Sequence, residues 1–323
     1  MSFRSFYYTL TLLFLITTCV LNFSSLKSFL NLGPVDYGID YFSDLQLKVD
    51  YYMKKQQLEG RDLIPPFVDG DRVFSIAPSY NLLFCRIKKA MSTLMSGVSC
   101  SLFDYDLFVK RNRSILETWS KRFCKNKNEY NHFLDAESQF NTSDFQAVVV
   151  IREPKTRFVS FFLNKCVFEN RKYPNDDRCY GCNESVSCFL EHQYHRFMNK
   201  TEYGKMVMKY EDNHAAPLSW NCEFGNYLSR YTIIKMESDR ELRKQGLESL
   251  MKVLRKNKVP ENIVGMLSET IMGGETPHAT NRETALKMKL SKPQAMEYFF
   301  KIYYMDYMVF NFDTSLFKKY GLI

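Results

Sequence analysis

Residues 81–100, "NLLFCRIKKAMSTLMSGVSC", are the stretch that best indicates the fold of this chain. An apolar run is followed by a basic pair, Lys88 and Lys89, then by the hydroxyl residues Ser92 and Thr93 and a second apolar run. A strand, a basic and hydroxylated turn and a helix are how α/β proteins hold a phosphate. No Gly separates the strand from the hydroxyls, so this is not the Gly-rich loop of the usual nucleoside triphosphatases. The competing interpretation is a capping Ser before an ordinary core helix.

A second stretch, residues 145–166, "FQAVVVIREPKTRFVSFFLNKC", has the same order. Its β-branched run suits a strand that is buried on both faces of a parallel sheet. Arg152 follows that strand directly, and Ser160 comes eight residues later on the predicted helix. Because ligands bind at the carboxyl ends of parallel strands, an Arg fork and a Ser hydroxyl there can share one phosphate. The alternative is a helix-start Arg paired with Glu153.

Strands and helices alternate along the rest of the chain. "VFSIAP" and "YTIIKME" also predict short strands, and the last eighty residues are predicted to be largely helical, with an aromatic end. This alternation predicts an α/β fold with a central, mainly parallel sheet flanked by helices. Two phosphate-binding turns in such a fold suit one ligand with two anionic ends.

The N-terminus predicts export. No residue between Arg4 and Lys27 is charged, and the apolar segment at residues 6–23 is long enough to cross a bilayer as a helix. We expect a cytosolic tail and signal anchor over residues 1–30, a stem over 31–72 and a lumenal domain over 73–323. A cleaved signal peptide, and thus a secreted protein, is the alternative.

The cysteines and glycan acceptors agree with export. Eight cysteines lie beyond the apolar segment, and Asn-x-Ser/Thr triplets begin at Asn112, Asn141, Asn183 and Asn199. In an oxidising lumen we expect the clustered cysteines to form disulfides, although the sequence does not fix their pairing. The cysteines expected to be disulfide-bonded are Cys179, Cys182, Cys188 and Cys222. Zinc at the Cys-x-x-Cys pair is the alternative.

The charge balance limits the partners. A net charge of +8 suits polyanions such as an acidic glycan or a phosphorylated cofactor. No long Lys/Arg tract is present, so nucleic acid is not the expected partner.

Together the two loops resemble those of the Golgi carbohydrate sulfotransferases, the membrane-bound class that includes chondroitin, dermatan and HNK-1 enzymes. "CRIKKAMSTL" is similar to the family's 5′-phosphosulfate loop, and "VVVIREPKTRFVSFF" to its 3′-phosphate motif. "DNHAAPLSWNCEFGNYLSRYTIIKMES" and "YYMDYMVFNF" resemble two later family segments. The resemblance runs from about residue 73 to residue 312 and is strongest to the nematode branch.

The resemblance implies a sulfotransferase fold and 3′-phosphoadenosine 5′-phosphosulfate as sulfate donor, with no metal, and a chondroitin-like glycan as acceptor. Lys88 and Lys89 would bind the 5′-phosphosulfate, with Lys89 stabilising the leaving phosphate. Five further positions complete the implied cofactor site: Ser92, Thr93, Arg152, Arg157 and Ser160.

A base must take the proton of the sugar hydroxyl, and His suits that task near neutral pH. The chain has five histidines. His132, between the two loops, is the first candidate, and His214, in the His-x-x-Pro segment, is the second. His278 and Arg282 belong to a late loop predicted to lie near the nucleotide.

The chain departs from the family pattern at Lys88, Glu153 and Phe162, where the family has Pro, Asp and Tyr. None of these departures removes a phosphate ligand. The alternatives to an active enzyme are an inactive lumenal member that binds an anionic glycan and, last, a kinase. A kinase is the least favoured alternative, because this sequence lacks the full phosphate-loop pattern and a clear Mg²⁺-binding Asp.

Overall fold

A computed structural model describes residues 39–169, 178–203, 207–237, 239–273 and 292–323. The predicted membrane segment, and the loop with His278 and Arg282, lie outside these ranges. Within the described residues, no helix is both long enough and apolar enough to span a bilayer.

Five strands form one sheet in the order β3-β1-β2-β4-β5. They are β1 Phe74–Ala77, β2 Leu82–Cys85, β3 Glu129–Tyr130, β4 Gln146–Ile151 and β5 Tyr231–Lys235. β4 pairs in parallel with β2 and β5, whereas β1 pairs antiparallel with β2 and β3.

The α/β prediction is confirmed, but the sheet is more mixed than expected. Only four residues, 78–81, connect β1 and β2. So short a connection can form only a hairpin, since a parallel crossover needs a dozen residues or more.

The helices cover both faces of the sheet. The α-helices of the described residues are α1 Ile39–Leu58, α2 Ser92–Phe103, α3 Tyr105–Lys110, α4 Phe133–Glu137, α5 Pro154–Phe162, α6 Val186–Tyr203, α7 Tyr210–Ala215, α8 Phe224–Tyr227, α9 Arg240–Lys256, α10 Glu261–Gly273, α11 Pro293–Val309 and α12 Ser315–Lys319. A π-helical turn, Leu163–Glu169, continues α5, and short 3₁₀ turns occur at Pro78–Tyr80, Trp119–Lys121, Arg178–Gly181, Leu218–Trp220 and Leu228–Arg230.

Strand alternation divides the core into two layers. Leu82 and Phe84 of β2 pack with α2, α9 and α10. Leu83 and Cys85 face the other layer, with α1, α5, α6 and α11. In α2, the predicted apolar stripe of Leu94, Val98 and Leu102 is buried as expected.

Residues 39–72 differ from the expected stem. The helix α1 was not predicted, because its sequence shows no sustained apolar period. Leu45 and Val49 nevertheless lie in the core, and Leu63 and Ile64 of the following segment are buried with them. Leu45 and Val49 lie one turn apart on the same side of α1, and Tyr52 and Met53 pack beside them, so one face of the helix is anchored.

All eight described cysteines form disulfides: Cys85–Cys222, Cys100–Cys124, Cys166–Cys179 and Cys182–Cys188. Cys182, Cys188 and His192 come close enough to hold a metal ion. The two sulfurs are bonded to each other, however, and a disulfide does not supply the thiolates that zinc needs. The disulfide prediction is therefore confirmed over the zinc alternative.

The disulfides should stabilise the fold to different extents. Cys85–Cys222 joins residues 137 apart and Cys182–Cys188 residues 6 apart. By loop-closure entropy, replacing the first pair with Ser should lower the free energy of unfolding by about 5 kcal/mol, and the second by about 2 kcal/mol. Denaturant unfolding of both double variants measures this difference, and equal losses would contradict the entropic explanation.

Candidate active site

The two predicted phosphate loops leave neighbouring strands at the same edge of the sheet. β2 and β4 are paired in parallel, with Cys85 opposite Val149. The segment after β2 carries Lys88 and Lys89, and Arg152 follows β4 directly. Both sets of side chains therefore start from the carboxyl ends of adjacent strands, where α/β proteins place their ligands.

The loop after β2 is held in an unusual backbone conformation. Lys89 and Met91 both have positive φ, at 64° and 58°. Non-glycine residues in this region cost on the order of 1–3 kcal/mol, and they concentrate at functional sites where the surroundings hold them in place. This backbone strain was not predictable from the residue types, since neither Lys nor Met favours positive φ.

A buried arginine supports the start of α2. Arg86 donates to Glu129 at 2.9 Å and to the hydroxyl of Ser96 at 2.9 Å. The Ser96 hydroxyl in turn donates to the carbonyl of Ser92 at 2.8 Å. These contacts fix the first turn of α2 against the sheet.

Ser92 and Thr93 begin α2, and neither caps it. The N-cap residue is Met91, and no side chain caps the helix. Within the described residues, the hydroxyls of Ser92 and Thr93 have no hydrogen-bond partner, which leaves them available to a ligand at the positive end of the helix. The capping interpretation of Ser92 is thus wrong.

Each lysine of the loop has a different partner. Lys88 forms an ion pair with Asp71 at 2.7 Å. The ammonium of Lys89 donates to the Oδ1 atom of Asn164 at 2.5 Å. Burial, followed by the nearby charge of Lys165, lowers the pKa of Lys89 to about 7. Asp71 and Asn164 were not singled out in the sequence, because they lie far from the loop along the chain.

Arg152 pairs with Glu237 rather than with Glu153. Its Nε atom lies 3.7 Å from Oε2 of Glu237, and burial lowers the pKa of Arg152. Glu237 also accepts from the backbone amide of Glu153 at 2.5 Å and from the hydroxyl of Thr156 at 3.0 Å. The side chain of Glu153 caps α5 by accepting from the Thr156 amide at 2.7 Å.

Arg157 was expected to bind the cofactor, and the structure shows it in contact with the backbone instead. Its side chain is 1% exposed, and it donates to the carbonyls of Lys88 at 2.9 Å, Ala216 at 2.7 Å and His214 at 3.2 Å. Three of the five N–H groups of this guanidinium are therefore engaged by backbone carbonyls. The guanidinium joins the loop after β2 to the His-x-x-Pro segment.

Ser160 lies on the face of α5 that is turned toward the loop after β2, which carries Lys88 and Lys89 and is called the β2 loop below. Arg157, Ser160 and Asn164 are spaced by three and four residues, so they share one side of the helix. Arg157 contacts the backbone of Lys88 and Asn164 contacts the side chain of Lys89. Ser160, 8% exposed, lies between these two contacts.

His132 lies at the same sheet edge, beyond the carboxyl end of β3. Phe74 is paired with both Cys85 and Tyr130, so β2 and β3 end level with each other on either side of β1. The His132 ring is 54% exposed, with Nδ1 3.2 Å from Glu223 and 3.3 Å from Arg72. Glu223 and Arg72 form their own ion pair at 2.7 Å.

His214 is buried and held by the backbone. Its Nδ1 atom is 2.7 Å from the carbonyl of Tyr210, which makes Nδ1 the protonated nitrogen and leaves Nε2 as an acceptor. Burial is the main cause that lowers its pKa to about 2, and the charges of Lys88, Lys89 and Lys165 act in the same direction. The ring is therefore neutral at physiological pH.

Comparison with known proteins fits this geometry. Residues 72–313 match the model of the sulfotransferase family. The chain belongs to the sulfotransferase family. This enzyme is 46% identical over 275 residues to carbohydrate sulfotransferase chst-1 of Caenorhabditis elegans, with 83% of this chain and 84% of the relative covered.

Two further relatives from the same organism are more distant. The sulfotransferase is 27% identical to the putative sulfotransferase vep-2, over 69% of this chain and 70% of the relative. It is also 27% identical to the uncharacterized protein C18B2.2, over 77% and 71%. No solved structure matches the chain. The predicted family resemblance and the sulfotransferase activity class are thus confirmed.

Arg157→Ala should destabilise the sulfotransferase even without ligand. The change removes three hydrogen bonds from a charged group and leaves buried carbonyls without donors, which should cost about 3 kcal/mol or more. Arg255→Ala is the matched control, because Arg255 pairs with Glu261 at the surface and should contribute little. Denaturant unfolding of both variants is the measurement. A loss in Arg157→Ala no larger than that of the control would refute the structural role.

Proposed function

We propose that the protein is a carbohydrate sulfotransferase that moves a sulfuryl group from 3′-phosphoadenosine 5′-phosphosulfate to a sugar hydroxyl. The convergence of Lys89 and Arg152 on one sheet edge, at the ends of the adjacent strands β2 and β4, carries this proposal. The 46% identity to a carbohydrate sulfotransferase supports the glycan acceptor. A chondroitin-like glycosaminoglycan is the proposed acceptor class, in line with the basic net charge of +8.

The side chains at this sheet edge are of the kinds that bind such a nucleotide. Cations and hydroxyls are the groups that bind phosphate and sulfonate oxygens, and the sheet edge supplies both kinds. Lys89, Ser92 and Thr93 would hold the 5′-phosphosulfate, and Arg152 and Ser160 the 3′-phosphate. Lys88 would help after leaving Asp71, whereas Arg157 positions the loop through its carbonyl contacts.

The donor supplies an activated sulfuryl group and a phosphate leaving group. Lys89 would donate a hydrogen bond to the leaving oxygen, where negative charge would grow during transfer. A donor that is already fixed in place stabilises that charge without reorganising in the transition state. Arg152 would set the register of the nucleotide by holding its 3′-phosphate end.

We propose His132 as the base that takes the proton from the acceptor hydroxyl. Glu223 faces Nδ1, and a hydrogen bond donated to that carboxylate would leave Nε2 free to accept a proton, whereas the Arg72 guanidinium at the same nitrogen favours the opposite tautomer. His214 is the second candidate, but a pKa of about 2 makes its neutral ring a weak base. Its fixed position suits a structural role better.

We further propose a lumenal Golgi enzyme anchored by residues 6–23. Four disulfides are typical of an oxidising compartment. The four acceptor asparagines, Asn112, Asn141, Asn183 and Asn199, are all exposed. An N-glycosidase should therefore shift the expressed protein on a gel, and intact vesicles should protect it from added protease. An unshifted, protease-sensitive protein would disprove this location.

Substitutions at Arg152 and at Lys89 should have different effects on product binding and on turnover. Arg152→Ala should weaken binding of the product 3′,5′-adenosine bisphosphate by roughly tenfold to a hundredfold, because it removes a charged contact of about 1.5–3 kcal/mol. Ser160→Ala should be a milder version. Lys89→Ala should instead slow turnover more than it weakens binding, because the charge that it stabilises grows only in the transition state.

Two measurements on each variant make this comparison. Thermal shift gives the affinity for the product, and transfer of radiolabelled sulfate to a panel of defined glycans gives the turnover. Unchanged affinity in Arg152→Ala, or full turnover in Lys89→Ala, would remove the two-loop assignment. Product binding without transfer to any glycan would favour the inactive, glycan-binding alternative.

His132→Ala should reduce turnover by about 10²-fold or more, with product affinity unchanged, if His132 is the base. His195→Ala is the control, since His195 is exposed on α6. Steady-state kinetics over a pH range is the measurement. A variant with normal turnover would exclude His132 and make His214 the leading candidate.

A further inference from the structure

The helix that follows β4 changes its hydrogen-bonding register where it passes the β2 loop. α5 ends at Phe162, and the π-helical turn Leu163–Glu169 continues it. π-helical turns are rare, and they are frequently found at functional sites. Asn164 stands in this turn, and its Oδ1 atom accepts from the ammonium of Lys89 at 2.5 Å.

Lys89 lies among other cations. The charges of Lys165, Arg152 and Arg157 disfavour the protonated form of Lys89, and among the described residues the carboxylate of Glu169 opposes them most strongly. Glu169 is itself paired with Lys165 and with Arg178. On the His-x-x-Pro side, the neutral ring of His214 adds no charge that would help.

Asn164 therefore provides the one hydrogen-bond acceptor that Lys89 has within the described part of the chain. A hydrogen bond from an ammonium favours its protonated form and fixes its direction. Without that acceptor, the surrounding cations would favour the neutral amine or a side chain turned toward solvent.

The acceptor is also neutral. A carboxylate at this position would hold the ammonium as well, but it would cancel the charge that the leaving phosphate needs. An amide oxygen orients the ammonium and leaves its full charge to act on the donor. This is the property required of a preorganised group.

We propose that Asn164 is a positioning residue of the sulfuryl transfer, which acts by holding the Lys89 ammonium protonated and directed from the β2 loop. The proposal rests on the role of Lys89 in the proposed function. It adds a specific requirement, namely that the acceptor at position 164 be both polar and uncharged.

Two variants test this requirement. Asn164→Ala removes the acceptor, so turnover should fall roughly tenfold to a hundredfold, while affinity for 3′,5′-adenosine bisphosphate stays within about threefold. Asn164→Asp is nearly isosteric and keeps an acceptor, but its charge should shield the ammonium. Turnover of Asn164→Asp should also fall, although Lys89 becomes easier to protonate.

The pKa of Lys89 separates these two failures. An NMR titration of the ligand-free protein, with the Lys89 signal assigned by its loss in Lys89→Arg, should give a lower pKa in Asn164→Ala and a higher one in Asn164→Asp. Because the protonated amine is the active form, the alkaline limb of kcat/KM for the donor should move to lower pH in the first variant and to higher pH in the second. A merely structural role would not move the limb in opposite directions.

Asn226→Ala is the control, because Asn226 is exposed on α8, and it should leave turnover and both pH measurements unchanged. If Lys89→Ala slows turnover but Asn164→Ala keeps wild-type turnover and the same Lys89 pKa, the role of Asn164 is refuted and the proposed function stands. If Lys89→Ala is fully active, the proposed function itself fails, and the role of Asn164 with it. Should Asn164→Ala not fold, Asn164→Asp decides alone: an unmoved Lys89 pKa and alkaline limb would overturn the proposal.

Discussion

The geometry of the site depends on one buried guanidinium. Arg157 is removed from water and is compensated by the carbonyls of Lys88, His214 and Ala216. A buried charge is tolerated only when its donors are satisfied, so these carbonyls must be kept where the guanidinium can reach them. One side chain thereby fixes the β2 loop, the start of α5 and the His-x-x-Pro segment relative to one another.

Around this fixed point the cations of the sheet edge are each held by a partner. Lys88 has Asp71, Arg152 has Glu237, and Lys89 has the amide of Asn164. Such pairs keep the cations in place in the absence of ligand and limit the repulsion between them. A polyanionic donor would compete for the same cations, so the strength of each pair affects affinity. The partner of Lys89 is uncharged, so it cancels none of the charge of the protonated amine.

The sequence predicted the layout of the site because strand–turn–helix order is local. Lys89 and Arg152 follow apolar runs that have little choice except to be buried strands, and neighbouring parallel strands bring their ends together. The role of Arg157 was not predictable in this way. Arg152 and Arg157 both lie near the start of one helix, and only tertiary packing decides which of them is buried against carbonyls.

Other features escaped prediction for related reasons. Asn164, Asp71 and Glu237 are ordinary polar residues in the sequence and gain their significance from contacts across the fold. The cysteine pairing depends on the same distant contacts, since Cys85 and Cys222 are 137 residues apart. The helix α1 was missed because two buried residues, Leu45 and Val49, give too weak a period over twenty positions.

The aromatic helix near the C-terminus, α11, explains why so remote a segment belongs to the site. Asp306 accepts from the amides of Leu218 at 2.6 Å and Ser219 at 2.9 Å, and the hydroxyl of Tyr303 donates to Ala215 at 2.6 Å. These contacts hold the segment whose carbonyls satisfy Arg157. Tyr307 of the same helix donates to Glu153, the residue that caps α5. α11 therefore supports both the segment that satisfies Arg157 and the start of α5, and a change in its packing should shift the loops after β2 and β4 without altering any residue of the candidate site.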